Sequence, residues 1–140
     1  MEKTISVRCA VNRTRAAEEV LKAINRVQHV NDEVAETMPR GEGEEAVVCF
    51  FKLDRFISDD KLEEKYELRG LKPADPYSLA AVNAADPSFA DEHPNGTHWK
   101  DAQGEWCYVA FDRWRDERHV YVGRSDWDWS DHWWLAGLRK

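Results

Sequence analysis

Hydrophobic and polar positions change rhythm along the chain, and each rhythm names an element. Ile5, Val7, Cys9 and Val11 recur at every second position, the period of a strand with one covered face. Ala16, Val20, Ile24 and Val27 then recur at spacings of four, four and three. That single apolar stripe predicts a helix over about 13–28, capped by Asn12 or Thr14, with Glu18 and Glu19 near its positive end. Residues 32–45 set six acidic side chains against Arg40 and include Pro39, Gly41 and Gly43, so they read as a solvated acidic connection. Ala46-Val-Val-Cys-Phe-Phe51 is an unbroken apolar run. It predicts a central strand with Val48 and Phe50 buried on one face and Val47, Cys49 and Phe51 on the other.

Ser58 is placed to cap a helix reaching about Arg69, with Ile57 and Leu62 spaced as a hydrophobic staple. Gly70 suits a left-handed stop, and Asp75-Pro76 a second helix start. Asp86-Pro87 repeats that start as a further short helix or turn. His93-Pro-Asn-Gly-Thr-His98 reads as a turn with Asn95-Gly96 at its tip. Strands near 97–100 and 105–113 meet through Asp101-Ala-Gln-Gly104. Strands at His119–Gly123 and His132–Ala136 complete an antiparallel meander, joined by the polar-aromatic segment Ser125–Asp131. The order β-α-β-α-α-β-β-β-β predicts an α+β fold, with helices packed on one face of a largely antiparallel sheet. No linker interrupts the chain, so 1–140 reads as a single domain.

Composition narrows the function classes. Twenty Lys and Arg face twenty-seven Asp and Glu, a net charge of −7. That balance disfavours free DNA or RNA and anionic membranes as partners, because affinity for phosphates rests on Lys and Arg. No apolar run approaches the length of a spanning helix, and Met1-Glu2-Lys3-Thr4 does not open a secretory signal. A cytoplasmic location is therefore expected. Cys9, Cys49 and Cys107 are isolated within apparent strands, which predicts buried reduced thiols.

All seven tryptophans follow His98, at 99, 106, 114, 127, 129, 133 and 134. Adjacent Trp133 and Trp134 point to opposite sides of a strand, so one must face out, cover a second layer or meet a partner. Trp127, Trp129 and Trp133 read as apolar anchors of a binding surface, with Asp126, Asp128 and Asp131 as its charged rim. Asp126-Trp-Asp-Trp-Ser130 spaces oxygen side chains like a calcium loop, but lacks the turn Gly and the closing Glu. His93 and His98 bracket a turn after Asp91 and Glu92. Their spacing matches no helical His pair, and no metal or cofactor is expected. No phosphate loop, nucleophile elbow or His-Glu-x-x-His is present. The expectation is a small acidic non-catalytic protein that binds another protein. An inhibitor or nucleic-acid mimic directed at a basic surface fits this, as in small acidic chains of bacterial or phage origin. The alternatives are a small hydrolase using His93, His98 and nearby carboxylates, or an aromatic-stacking module for nucleic acid or carbohydrate.

Overall fold

The computed structural model describes residues 2–140. Its elements are β1 (Thr4–Ala10), α1 (Ala17–Ala23), β2 (Val27–Val30), α2 (Asp32–Ala35), β3 (Glu45–Lys52), α3 (Asp59–Leu68), β4 (Leu71–Pro73), α4 (Pro76–Ala85), α5 (Phe89–Glu92), β5 (Asn95–Lys100), β6 (Trp106–Trp114), β7 (Glu117–Arg124) and β8 (Trp134–Arg139). The strands form one mixed sheet in the order β1-β3-β8-β5-β6-β7-β2, with β4 also paired to β8. Pairing is antiparallel except at β2–β7 and β5–β8. The α+β class stands, and four elements join the expected order: β2, α2, β4 and α5, the last at the Asp86-Pro87 segment read as a short helix or turn.

Local chemistry explains most boundaries. Ser58 caps α3 by accepting from the Lys61 N–H at 3.2 Å, and the staple residues Ile57 and Leu62 are both buried. Gly70 ends that helix at φ +68°. Asp75 caps α4 by accepting from the Ser78 N–H at 2.9 Å, with Pro76 in the first turn. Arg115 and Asp116, at φ +53° and +63°, form the two-residue turn between β6 and β7, a geometry whose twist suits a hairpin.

The helix expected over 13–28 is shorter. Asn12 turns the chain by accepting from the Thr14 N–H at 2.9 Å, and Asn25 breaks the helix at φ +60°. Val27 and Val30 then belong to β2, parallel to β7. Within the acidic connection, Asn31 caps α2 by accepting from the Glu33 and Val34 N–H groups. Among the final strands, β5, β6 and β7 form the expected meander, but β8 does not pair with β7. It runs between β3 and β5. Trp134, Leu135 and Ala136 are all buried, and a strand apolar on both sides belongs in the sheet interior.

Both faces of the sheet are covered, so helices do not pack on one face alone. One face gathers Val48, Phe50, Val109, Phe111, Val122, Trp134 and Ala136 with residues of α1, α2, α4 and α5. The other gathers Cys49, Phe51, Ala110 and Leu135 with Leu62 and Tyr66 of α3 and with Ile57, Trp129 and Trp133. Strand β3 is an interior strand, paired with β1 and β8 and second from the edge. Val47 is 39% exposed, unlike the rest of the expected buried set. The cover on its face reaches Cys49 and Phe51 but not Val47.

Candidate functional site

The segment 125–133 carries the chain from β7 back to β8 over the α3 face. It is anchored on Asp59, the first residue of α3. An acidic residue there is favoured by the exposed N–H groups of the helix start. Asp59 Oδ1 accepts from His98 Nδ1 at 2.7 Å and from Trp129 Nε1 at 2.9 Å, and Oδ2 accepts from Ser125 Oγ. Trp129 and Ile57 also exchange backbone hydrogen bonds of 2.8 and 3.0 Å.

His98 joins this network from β5. Its Nε2 lies 3.3 Å from Glu63 Oε2, one turn beyond Asp59 on α3. Burial opposes charge on both groups. The donors from His98, Ser125 and Trp129 outweigh it and hold the Asp59 carboxyl below the usual range. Burial is likewise outweighed at His98, where hydrogen bonds to Asp59 and Glu63 hold the imidazole above its usual value. The ring of His98 stacks on Trp106, with centroids 4.0 Å apart and planes 14° apart. Trp106 Nε1 donates to Asp60 Oδ1 at 3.0 Å.

Beside this network lies a cleft of about 870 Å³, with Glu42, Asp60, Glu63, Lys72, Lys100 and Trp106 among its lining residues and His98 in its wall. A second network braces the opposite wall. Arg13 donates to Asp75 Oδ2 at 2.9 Å, to Ser78 Oγ at 3.2 Å and to the Gly43 carbonyl at 2.7 Å. It thereby ties the acidic connection to the head of α4. Gly41 stands against Asp75, where an added Cβ would lie 2.4 Å from the carboxyl carbon.

The residues expected to form a binding surface separate in the structure. Trp129 is 0% exposed and Trp133 is 8% exposed, so their role as surface anchors is corrected: both rings lie inside the α3 face. Trp127 is half-buried against Tyr108 and Trp129. Asp126, Asp128 and Asp131 are exposed. Trp133 and Trp134 are both buried because each side of β8 has its own cover. His93 and His98 are not brought together. His93 stacks on Phe89 and meets Trp134 edge-on, on the other face from His98. Asn95 and Gly96 are not a turn tip but buried positions of β5. Asn95 exchanges side-chain hydrogen bonds of 2.9 and 3.2 Å with Asn83. Gly96 lies under Trp129, where a Cβ would fall 2.8 Å from the indole.

The sequence singles out neither Asp59 nor Glu63; it marks Ser125 only as the start of the polar-aromatic segment and Gly96 only as a turn tip. Asp59 resembles any acidic first-turn residue, and its partners lie 39, 66 and 70 positions away. All three cysteines are free and buried, and burial pushes the Cys9 and Cys107 thiols up. Among the described residues, no group of three His, Cys, Asp or Glu is arranged to hold a metal ion, and no helix is long and apolar enough to cross a membrane. No protein-family model, curated protein or solved structure matches the chain.

Proposed function

We propose that the protein is a non-catalytic binding protein whose cleft takes basic side chains of a protein partner. The observation that carries this is the shortage of ion-pair partners for the acidic residues of the lining. Glu42 and Asp60 form no ion pair among the described residues, and the only ion-pairing partner of Glu63 is His98. Carboxylates held in a concavity steer and orient cations there. The acidic balance of the chain acts in the same direction at longer range. The loop joins this surface at one point, since Ser125 is bonded to Asp59, the neighbour of Asp60. Its exposed Asp126, Asp128 and Asp131 extend the same chemistry.

The hydrolase alternative draws on Asp59 orienting His98, a pairing that general bases use. Against it, both ring nitrogens of His98 are engaged and its side chain is 0% exposed. A substrate would reach Nε2 only after Glu63 moved. The network reads better as a lock between α3, β5 and the loop.

Affinity capture from the native host tests the binding reading, with the wild type compared against Glu42→Lys/Asp60→Lys. A basic protein retained by the wild type, released by salt and lost from the double variant is expected. Capture that is indifferent to both salt and the substitutions would overturn the reading.

A further inference from the structure

The cleft contains one aromatic face with an occupant of its own. The Trp106 indole is held edge-on by its hydrogen bond to Asp60 and covered on one face by His98. Lys100 places its Nζ 4.8 Å from the ring centroid. A ring stacked at 4.0 Å fills the face it covers, so the ammonium lies over the other one. Lys100 is exposed and forms no ion pair among the described residues. Only a flexible stem and the attraction of a cation for an aromatic face keep it there.

We propose that Trp106 is the receptor face for a guanidinium group carried by the partner, and that Lys100 is a resident competitor that must leave it. This rests on the binding reading of the cleft and names the chemistry of its ligand. A planar guanidinium stacks on an indole and hydrogen-bonds carboxylates with a fixed fork of N–H groups, which an ammonium cannot do. Glu63 and Glu42 line the same cleft and are the acceptors for that fork. Once Lys100 swings away, Lys72 is the one Lys or Arg left among the described lining residues, beside the buried His98 that Asp59 and Glu63 already pair, and it faces Glu42, Asp60, Glu63 and the Arg13-paired Asp75. A nucleotide base would also stack on Trp106, but its phosphates would meet those carboxylates.

Titration of the protein with N-acetyl-arginine amide, followed through the Trp106 indole N–H resonance, tests the proposal. N-acetyl-citrulline amide serves as a probe of nearly the same shape without the charge. Lys100→Met keeps the stem and removes the competitor, and should tighten arginine binding by about fivefold, the scale of one exposed cation–aromatic contact. Lys72→Met removes an equal charge from the same cleft without uncovering the ring, and should tighten it clearly less. Trp106→Leu should cancel the gain of Lys100→Met in the double variant, read there by isothermal titration calorimetry because the reporting indole is gone. Citrulline binding as tightly as arginine would overturn the proposal. So would equal gains from Lys72→Met and Lys100→Met, because net charge alone would then explain both. In either case partner capture lost in Glu42→Lys/Asp60→Lys would leave the binding reading standing. Conversely, a Lys100→Met gain without any salt-sensitive partner would keep the receptor face and remove the partner.

Discussion

The two faces of the sheet are closed by different physics. On one face, β3, β6, β7 and β8 present Val48, Phe50, Val109, Phe111, Val122 and Ala136, and α4 lays Leu79, Ala80 and Val82 among them. Apart from the buried Asn83–Asn95 amide pair, this is apolar area removed from water with little directional demand. On the other face a helix and an irregular loop meet over a buried carboxylate. Asp59 takes three side-chain hydrogen bonds there, and the loop's fully buried Trp129 is both a core residue and a donor to it. The first face tolerates changes of shape that conserve volume. The second binds its pieces through directional bonds, and a lost partner leaves a buried polar group unmet. The comparison explains why the cleft opens beside the second face: the polar network that holds α3 to β5 also sets Asp60, Glu63 and Trp106 at its rim.

Matched substitutions separate the two kinds of closure. Phe50→Ala and Trp129→Ala should each cost about 3–5 kcal/mol in urea unfolding, the usual range for buried aromatics. Retaining the bulk splits them. Phe50→Leu should cost less than about 1.5 kcal/mol, whereas Trp129→Phe, which keeps a ring but removes the donor to Asp59, should cost about 1–3 kcal/mol. Equal small losses for both conservative changes would show that the second face is held by area alone.

Gly96→Ala probes the same contact from below. Its new methyl would meet the Trp129 ring at 2.8 Å. A loss of about 1–3 kcal/mol from overpacking is expected, with the environment of Trp129 changed in near-ultraviolet circular dichroism. An unchanged spectrum at full stability would place Trp129 elsewhere.

Acidity offers a third test, because the second face holds the buried Asp59–His98 pair. His98 is held above its ordinary value of 6.5, so its contribution is fully present below that value and is lost as pH rises through its folded pKa. Asp59 is held below its ordinary value of 3.8, so its contribution is present above that value and fades as pH falls through its folded pKa. Thermal unfolding should therefore show wild-type stability declining as pH rises above about 6.5, and a flatter profile for His98→Gln. Parallel profiles for the two proteins would remove the charge from His98.

The smallest effect comes from β3 itself. Val47→Thr, at a position 39% exposed, should change stability by less than about 0.5 kcal/mol. Val48→Thr, at 0% exposure, should cost about 1–3 kcal/mol for an unmatched hydroxyl. A similar cost at both positions would extend the cover of the second face over Val47.

Local signals were legible where neighbouring residues settle the conformation. The Ser58 cap with its Ile57–Leu62 staple, Asp75-Pro76, Gly70, the Asp101–Gly104 hairpin loop and the buried Val48 and Phe50 all follow from interactions within a few residues. The α+β class follows from the alternation of such segments. What tertiary structure alone decided is the pairing of β8 between β3 and β5, the parallel edge strand β2 and the return of segment 125–133 across the α3 face. Asn95-Gly96 shows the limit most clearly. As a dipeptide it is a turn signal, but in the fold the Asn closes a buried amide pair with Asn83 and the Gly makes room for Trp129. Asp59, His98 and Trp129 are likewise ordinary residues at their own positions, and become a network only when strands far apart in sequence are placed side by side. Caps, turns and apolar periods are short-range properties that the chain writes in its own order. Burial of both sides of a strand, and the meeting of a carboxylate with its donors, depend on which distant segments arrive next to it.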